Sequence, residues 1–209
     1  NARKILQSVS DDDFSNQNFA FMSSKIIKIA EVELRATRIT YVGELGWELY
    51  IPVKDALKVW LELIEKGAAY GVRVCGYRAI ESLRLEKGYR AWAGEINSES
   101  NPYEAGLGFA VSTKKDNFIG KAALDQLGGR LSRKLTALIF DEITQVAMGN
   151  EPIFINEGYT INKAIAYAYL PIEHTAAGTK VEVEMFGEKV IGAVAAEPLF
   201  DPKGERVKS

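Results

Sequence analysis

Apolar residues recur at helical spacing in three stretches of the chain and alternate with polar ones through most of the rest. ARKILQSVS has helical spacing and is followed by the acidic run DDDF, which predicts a short helix and then a polar loop within residues 1–24. SSKIIKIAEVELRATRITYVGE alternates and predicts two strands meeting near Glu31 to Glu33. VKDALKVWLELIEKGAAYG predicts an amphipathic helix with an apolar face of Ala56, Leu57, Trp60, Leu61 and Ile64, stopped at Gly67. GYRAIESLRLEKG predicts a second helix, ended by Gly88. Two helices among alternating strands predict an α+β layer, an antiparallel sheet with helices.

The pattern changes after about residue 115. KLTALIF, AIAYAYL, KVEVEMF and KVIGAVAA read as strands separated by turn residues such as AAGT and FGEK, a small all-β domain. The expected boundary lies near DNFIGKAAL, where a short helix begins, giving domains of residues 1–115 and 116–209.

Composition narrows the function classes. The chain has 209 residues, 47% hydrophobic and 26% charged, with a net charge of −2, as in an ordinary globular protein with real cores. No basic block stands out, which argues against extended nucleic-acid binding. No apolar run approaches the ~18 residues of a membrane span. The single cysteine, Cys75, excludes an internal disulfide framework and a multi-cysteine metal site, and suits a reducing compartment. Cys75 precedes a predicted helix and is read as structural. His174, the one histidine, sits in the turn PIEHTAAGT and has no second histidine to bind a metal with; no metal site is expected. No nucleophile elbow and no phosphate-cradling glycine motif is present. The opening NARKIL has neither an initiator Met nor a signal peptide, so an upstream segment is expected to have been removed or never included.

One stretch carries candidate chemistry. TYVGELGWELYI, from Thr40 to Ile51, reads as a strand interrupted by two glycines and two glutamates. Strand alternation puts Val42, Glu44, Gly46, Glu48 and Tyr50 on one face. A glycine between two carboxylates leaves room for a flat ligand near the backbone, and a carboxylate accepts two hydrogen bonds side by side from a heterocycle edge. Spacing alone also allows a solvated strand face and does not choose between Glu44 and Glu48.

YVGELGWELYIP, ESLRLEKGYRAW, NPYEAGLGFAV and NFIGKAAL, in this order, resemble the aminomethyltransferase (glycine cleavage T-protein) superfamily of tetrahydrofolate enzymes. EKGYRAW and EPLFDPKGER resemble its dimethylglycine/sarcosine dehydrogenase branch. The resemblance implies that the all-β part is a barrel-like carboxyl-terminal domain. It also implies that Glu48 is the pterin-binding glutamate, accepting from N3–H and the 2-amino group, with Tyr41 and Phe109 lining the same folate site and Glu44 in support. The implied reaction passes a one-carbon unit from an amine to tetrahydrofolate, giving 5,10-methylenetetrahydrofolate. The alternatives are a glycine cleavage T-protein proper and a non-catalytic folate-binding or assembly module. FAD would sit only on a separate flavin dehydrogenase domain or subunit. The compartment implied is the cytoplasm, or the mitochondrial matrix in a eukaryote.

Two departures shape these expectations. T-proteins carry an arginine four residues before the arginine matching Arg84, where this chain has Ile80. Arg78 lies two residues earlier, about 200° around a helix, and cannot simply replace it. This favours the dehydrogenase branch. The family's catalytic aspartate lies in the amino-terminal half of the domain, ahead of the segment matching NARKIL. The catalytic residue is therefore unknown from these residues, the missing half is an expected partner, and the chain alone is expected to be inactive in transfer. A Gly- and Ser-rich loop of the family is also expected between Gly158 and Tyr159, which here abut.

Overall fold

A computed structural model describes residues 1–127, 130–140, 153–154 and 165–209. These fall into two compact units, Asn1–Tyr89 with Phe200–Ser209, and Arg90–Leu199. The expected Gly158–Tyr159 junction lies outside the described residues.

The first unit opens with α1 (Ala2–Val9) and continues into a three-stranded antiparallel sheet, β1 (Ser24–Ile29), β2 (Val32–Thr37) and β3 (Glu48–Tyr50), in that spatial order. The β1–β2 hairpin turns through Ala30 and Glu31, both at positive φ, between the paired Ile29 and Val32. Register puts Ile27 opposite Leu34 and Ile29 opposite Val32. These four side chains share one buried face. Phe14 and Phe19 from the predicted polar loop complete the core with Leu6, Ala36 and Val59. That loop is therefore polar only in part. Its two phenylalanines stack on each other at 5.7 Å, and each meets Trp47 edge-on.

Two helices follow, α2 (Ala56–Gly67) and α3 (Tyr77–Lys87). The face of α2 that meets the core is corrected. Val59 is fully buried and Leu63 packs against the core, whereas Leu57, Trp60 and Leu61 are exposed. The helix is apolar on two sides, so periodicity alone could not choose the inner one. The α-helix ends at Gly67, as expected. A 3-10 turn, Ala68–Tyr70, follows, and Gly71 at φ +73° ends it. Gly88 ends α3 as expected, at φ +77°, with its N–H bonding back into the last turn.

The stretch TYVGELGWELYI departs most from its reading. Only Glu48–Tyr50 is strand; residues 41–45 form a run of bends. Gly43 has φ +77°, a conformation that breaks a strand and that glycine adopts without strain. Glu44 and Glu48 therefore do not share a strand face.

The second unit holds α4 (Lys121–Leu127) and a five-stranded antiparallel sheet. Its strands are β4 (Arg133–Phe140), β5 (Ile153–Phe154), β6 (Ile165–Pro171), β7 (Lys180–Met185) and β8 (Glu188–Val194), in the order β5-β7-β8-β4-β6. In β7 alternation is strict: Val181, Val183 and Met185 are buried. The β7–β8 hairpin turns through Phe186 and Gly187, both at positive φ, the geometry a two-residue hairpin needs. β8 approaches β4 so closely at Gly192 that a Cβ there would lie 2.8 Å from the Ile139 carbonyl oxygen. Leu138, Phe140, Leu170, Val181, Val183, Met185 and Val194 form this unit's core. An α+β part with an antiparallel sheet is thus followed by the expected small all-β domain.

Candidate functional site

Glu48 begins β3, opposite Thr37 of β2, and its side chain is exposed. The Tyr50 hydroxyl donates to Glu48 Oε2 at 2.7 Å. This bond, with the carboxylate's charge, raises the Tyr50 phenol above its ordinary pKa. Among the described residues Tyr50 is the one hydrogen-bond partner of the Glu48 carboxylate. Gly46, two residues earlier, is not at positive φ, and a Cβ there would meet nothing closer than 3.8 Å. Neither backbone geometry nor packing in this unit requires a glycine at that position.

Gly43 is the opposite case. A Cβ on it would lie 2.7 Å from Cγ and Cδ of Lys87, so the backbone of the bend rests on the lysine stem. The Lys87 ammonium donates to Asp201 Oδ2 at 3.0 Å and to the Asp201 carbonyl at 2.6 Å. Both side chains of this ion pair are buried. Asp201 also accepts from the backbone N–H groups of Glu205 and Arg206. Desolvation pushes the Asp201 carboxyl up, but the lysine bond and the two N–H bonds outweigh it, and its pKa lies below the ordinary value. A depressed carboxyl stabilises the fold above the unfolded-state pKa and loses that contribution as pH falls through the folded-state value. The melting-temperature gap between the wild-type chain and Asp201→Asn is therefore expected to stay constant above about pH 5 and to narrow below about pH 4. Thermal melts across that range check it; a gap independent of pH would count against it.

Glu44 is fixed by Arg206, whose NH1 donates to its Oε1 at 2.5 Å. Tyr41 stacks on Tyr89, centroids 6.1 Å apart and planes 10° apart. Arg38, almost fully buried, donates to the carbonyls of Phe19 at 2.7 Å and Ser209 at 3.0 Å, and its guanidinium lies over the Trp47 ring. Sequence reading passed over Tyr89, Lys87, Asp201 and Arg206 as site residues. Its one signal for them was that all four sit in EKGYRAW and EPLFDPKGER.

On α3, Ile80 is half-buried and Arg78 is exposed. Arg84 is buried, paired with Glu81 and donating to the Tyr89 carbonyl at 3.1 Å. Phe109 belongs to the second unit, in the 3-10 turn Gly108–Ala110, and is 88% exposed. His174 closes the turn Ile172–His174 that follows β6. Cys75 is a free, exposed thiol rather than a buried one. Among the described residues no group of three or more His, Cys, Asp or Glu could hold a metal ion. No described helix is long and apolar enough to cross a membrane.

The chain folds as an α+β unit followed by a small antiparallel all-β unit. The fold aligns with the aminomethyltransferase T of the glycine cleavage system from Bartonella henselae at TM-score 0.80 and 24% identity, over 96% of this chain and 57% of that one. The family profile for the GCVT N-terminal domain matches residues 1–115, and that for the glycine cleavage T-protein C-terminal barrel domain matches residues 133–201. The chain belongs to this T-protein family.

Its relatives include two kinds of protein. Human mitochondrial dimethylglycine dehydrogenase is 37% identical over 95% of this chain and 24% of its own length. Mouse mitochondrial sarcosine dehydrogenase is 36% identical over 99% of this chain and 25% of its own length. The aminomethyltransferase of Caldanaerobacter subterraneus is 35% identical over 97% of this chain and 56% of its own length. The chain thus spans about a quarter of the dehydrogenases and a little over half of the aminomethyltransferase. The match to sarcosine dehydrogenase runs over 228 positions, more than the 209 residues of the chain, so that relative carries insertions within it.

Proposed function

We propose that this chain forms part of the folate site of an aminomethyltransferase-like enzyme of the dimethylglycine/sarcosine type, with residues 1–115 as the folate-binding domain and 116–209 as the barrel domain. The observation that carries the reading is the Glu48 carboxylate: exposed at a strand start, held among the described residues only by Tyr50, near a glycine that this unit's packing does not need. An ionised carboxylate in that setting can accept two parallel hydrogen bonds from the N3–H and 2-amino group of a pterin. The Tyr50 hydroxyl orients it, and Tyr41, stacked on Tyr89, offers an aromatic surface in the same unit. Phe109, exposed on the second unit, is proposed as a folate-binding residue on the family resemblance alone.

Bound there, tetrahydrofolate would supply the amine nitrogens that take up the one-carbon unit. The residues of this chain would hold and orient it, which is the larger part of what such a transfer needs from a protein. The acid/base group is expected in the amino-terminal half of the domain, either in the same polypeptide or as a partner. The amine would be oxidised on a separate flavin domain or subunit, as the family resemblance implies, in the cytoplasm or the mitochondrial matrix. Ile80 in place of the T-protein arginine supports this branch over a glycine-cleavage T-protein.

Calorimetric titration with tetrahydrofolate tests the assignment. Glu48→Gln keeps the shape but loses the charge on both accepted bonds, and is expected to weaken binding roughly 10- to 100-fold. Glu44→Gln is expected to weaken it no more than about fivefold. Equal losses, or a loss only in the second variant, would remove Glu48 from the role.

A further inference from the structure

We infer that the segment Phe200–Ser209 is a positioning element for the bend that leads into Glu48, and that Lys87 is the pin through which it acts. The inference rests on the folate reading for its functional meaning, but its structural content stands apart from that reading.

The bend, residues 41–47, has little regular structure of its own. At its start the Val42 N–H bonds to the Thr40 hydroxyl oxygen at 3.1 Å. It is gripped from outside at successive points, and the grips lead to one place. Gly43 lies directly on the methylene stem of Lys87, and the Lys87 ammonium is fixed by Asp201. Glu44 is held by Arg206. Trp47 lies under the guanidinium of Arg38, whose NH2 is tied to the carbonyl of Ser209. The segment is itself anchored by the Phe200 N–H bonding to the Glu86 carbonyl and by the buried side chain of Val207. The Asp201 carboxylate does double duty. It receives the Lys87 ammonium and also caps the helical turn Glu205–Lys208, which aims Arg206 at Glu44.

The chemistry of the pin explains why a lysine is needed at residue 87. A buried ammonium is tolerated only with a paired carboxylate and further acceptors. Lys87 has both, from a segment more than a hundred residues away in sequence. Its stem is the flat apolar floor that the glycine backbone requires. An alanine here would remove floor and pin together. The two motifs that first set this chain beside the dehydrogenase branch, EKGYRAW and EPLFDPKGER, are thus one mechanical unit. They meet again within the second unit, where Arg90 binds Glu197 through two contacts of 2.8 and 3.3 Å.

The consequence is that the geometry of Glu48 depends on residues that do not touch a ligand bound there. Lys87, Asp201 and Arg206 are positioning residues. Hydrogen exchange of backbone amides, read by peptide mass spectrometry on the 209-residue chain, tests this without any folate. Lys87→Met keeps the stem and removes the ammonium; exchange in peptides covering residues 41–47 is expected to rise at least about tenfold. Arg206→Gln touches only an exposed pair and leaves the core intact; a rise of roughly two- to fivefold is expected. In both, peptides covering β1 and β2 should exchange as in wild type. The exchanged pair Glu44→Arg with Arg206→Glu should return the bend toward wild-type protection.

Tetrahydrofolate titration of the same variants should show affinity falling in parallel with lost protection. If the wild-type chain binds no folate, the folate reading fails while the exchange data still decide the positioning claim. If folate binds but the bend exchanges at the wild-type rate in Arg206→Gln and in a folded Lys87→Met or Asp201→Asn, the positioning claim is overturned. A Lys87→Met chain that does not fold leaves the decision to Arg206→Gln and the swapped pair. Uniform loss of protection across the first unit in the folded variants would also overturn it, because the effect would then be general destabilisation.

Discussion

Replacing Phe19 with alanine is expected to destabilise the first unit by about 3–5 kcal/mol, the usual range for truncating a fully buried phenylalanine. Phe19 is completely buried. It stacks on Phe14 and lies edge-on to Trp47, so its removal leaves two rings facing a void. Three features make collapse of that void difficult. Phe14 is held by its own backbone, whose carbonyl accepts from Arg3. Trp47 is fixed as the residue that leads into β3. The Phe19 carbonyl accepts from the buried Arg38 guanidinium at 2.7 Å, which ties the local backbone in place. Urea denaturation followed by Trp fluorescence reads the effect. A loss below about 1 kcal/mol would mean that the aromatic cluster repacks and is not the keystone of this core.

The second large effect separates the two glycines of VGELG. Gly43→Val is expected to destabilise the first unit by roughly 3–5 kcal/mol. Part of that is the left-handed backbone at φ +77°, which a β-branched residue tolerates poorly. The rest is overlap with the buried Lys87 stem, which the pair with Asp201 prevents from moving aside. Gly46→Ala is expected to change stability by no more than about 0.5 kcal/mol, because a methyl group there meets nothing closer than 3.8 Å. Paired thermal melts measure the contrast. Gly46→Ala should instead register in folate affinity, since Gly46 lies two residues before the carboxylate proposed to hold the ligand. Equal destabilisation by both substitutions would show that Gly46 has a structural role.

These two glycines also show what could be read from sequence and what could not. A glycine letter reports that a position is permissive, not whether backbone conformation, a neighbouring side chain or a ligand calls for it. The alternation from Ser24 to Thr37 was legible because one face is apolar and the other charged, and the register follows from that contrast. The same rule misread Thr40 to Ile51, where the alternation was coincidental and Gly43 turns the chain. In α2 the apolar stripe was found but on the outer side, because helical period locates stripes without saying which one faces the sheet. The candidate carboxylate was legible as one of two. Its supports were not, because Lys87 and Asp201 are 114 residues apart and nothing local links them.

The closing of the first unit by Phe200–Ser209 also bears on how the protein is made. A ribosome releases residues in order, and the first 89 residues emerge long before Asp201 and Arg206 exist. Through that interval Lys87 is without its carboxylate, and the floor beneath Gly43 is unanchored. The first unit must therefore persist as an incomplete intermediate while residues 90–199 are synthesised, and it locks only when Phe200–Ser209 returns to it. Such long-range closure is slow and leaves unfinished surface open to wrong partners. A nonsense mutation just before Phe200 would therefore do its damage more than 150 residues away in sequence, at the bend that leads into Glu48.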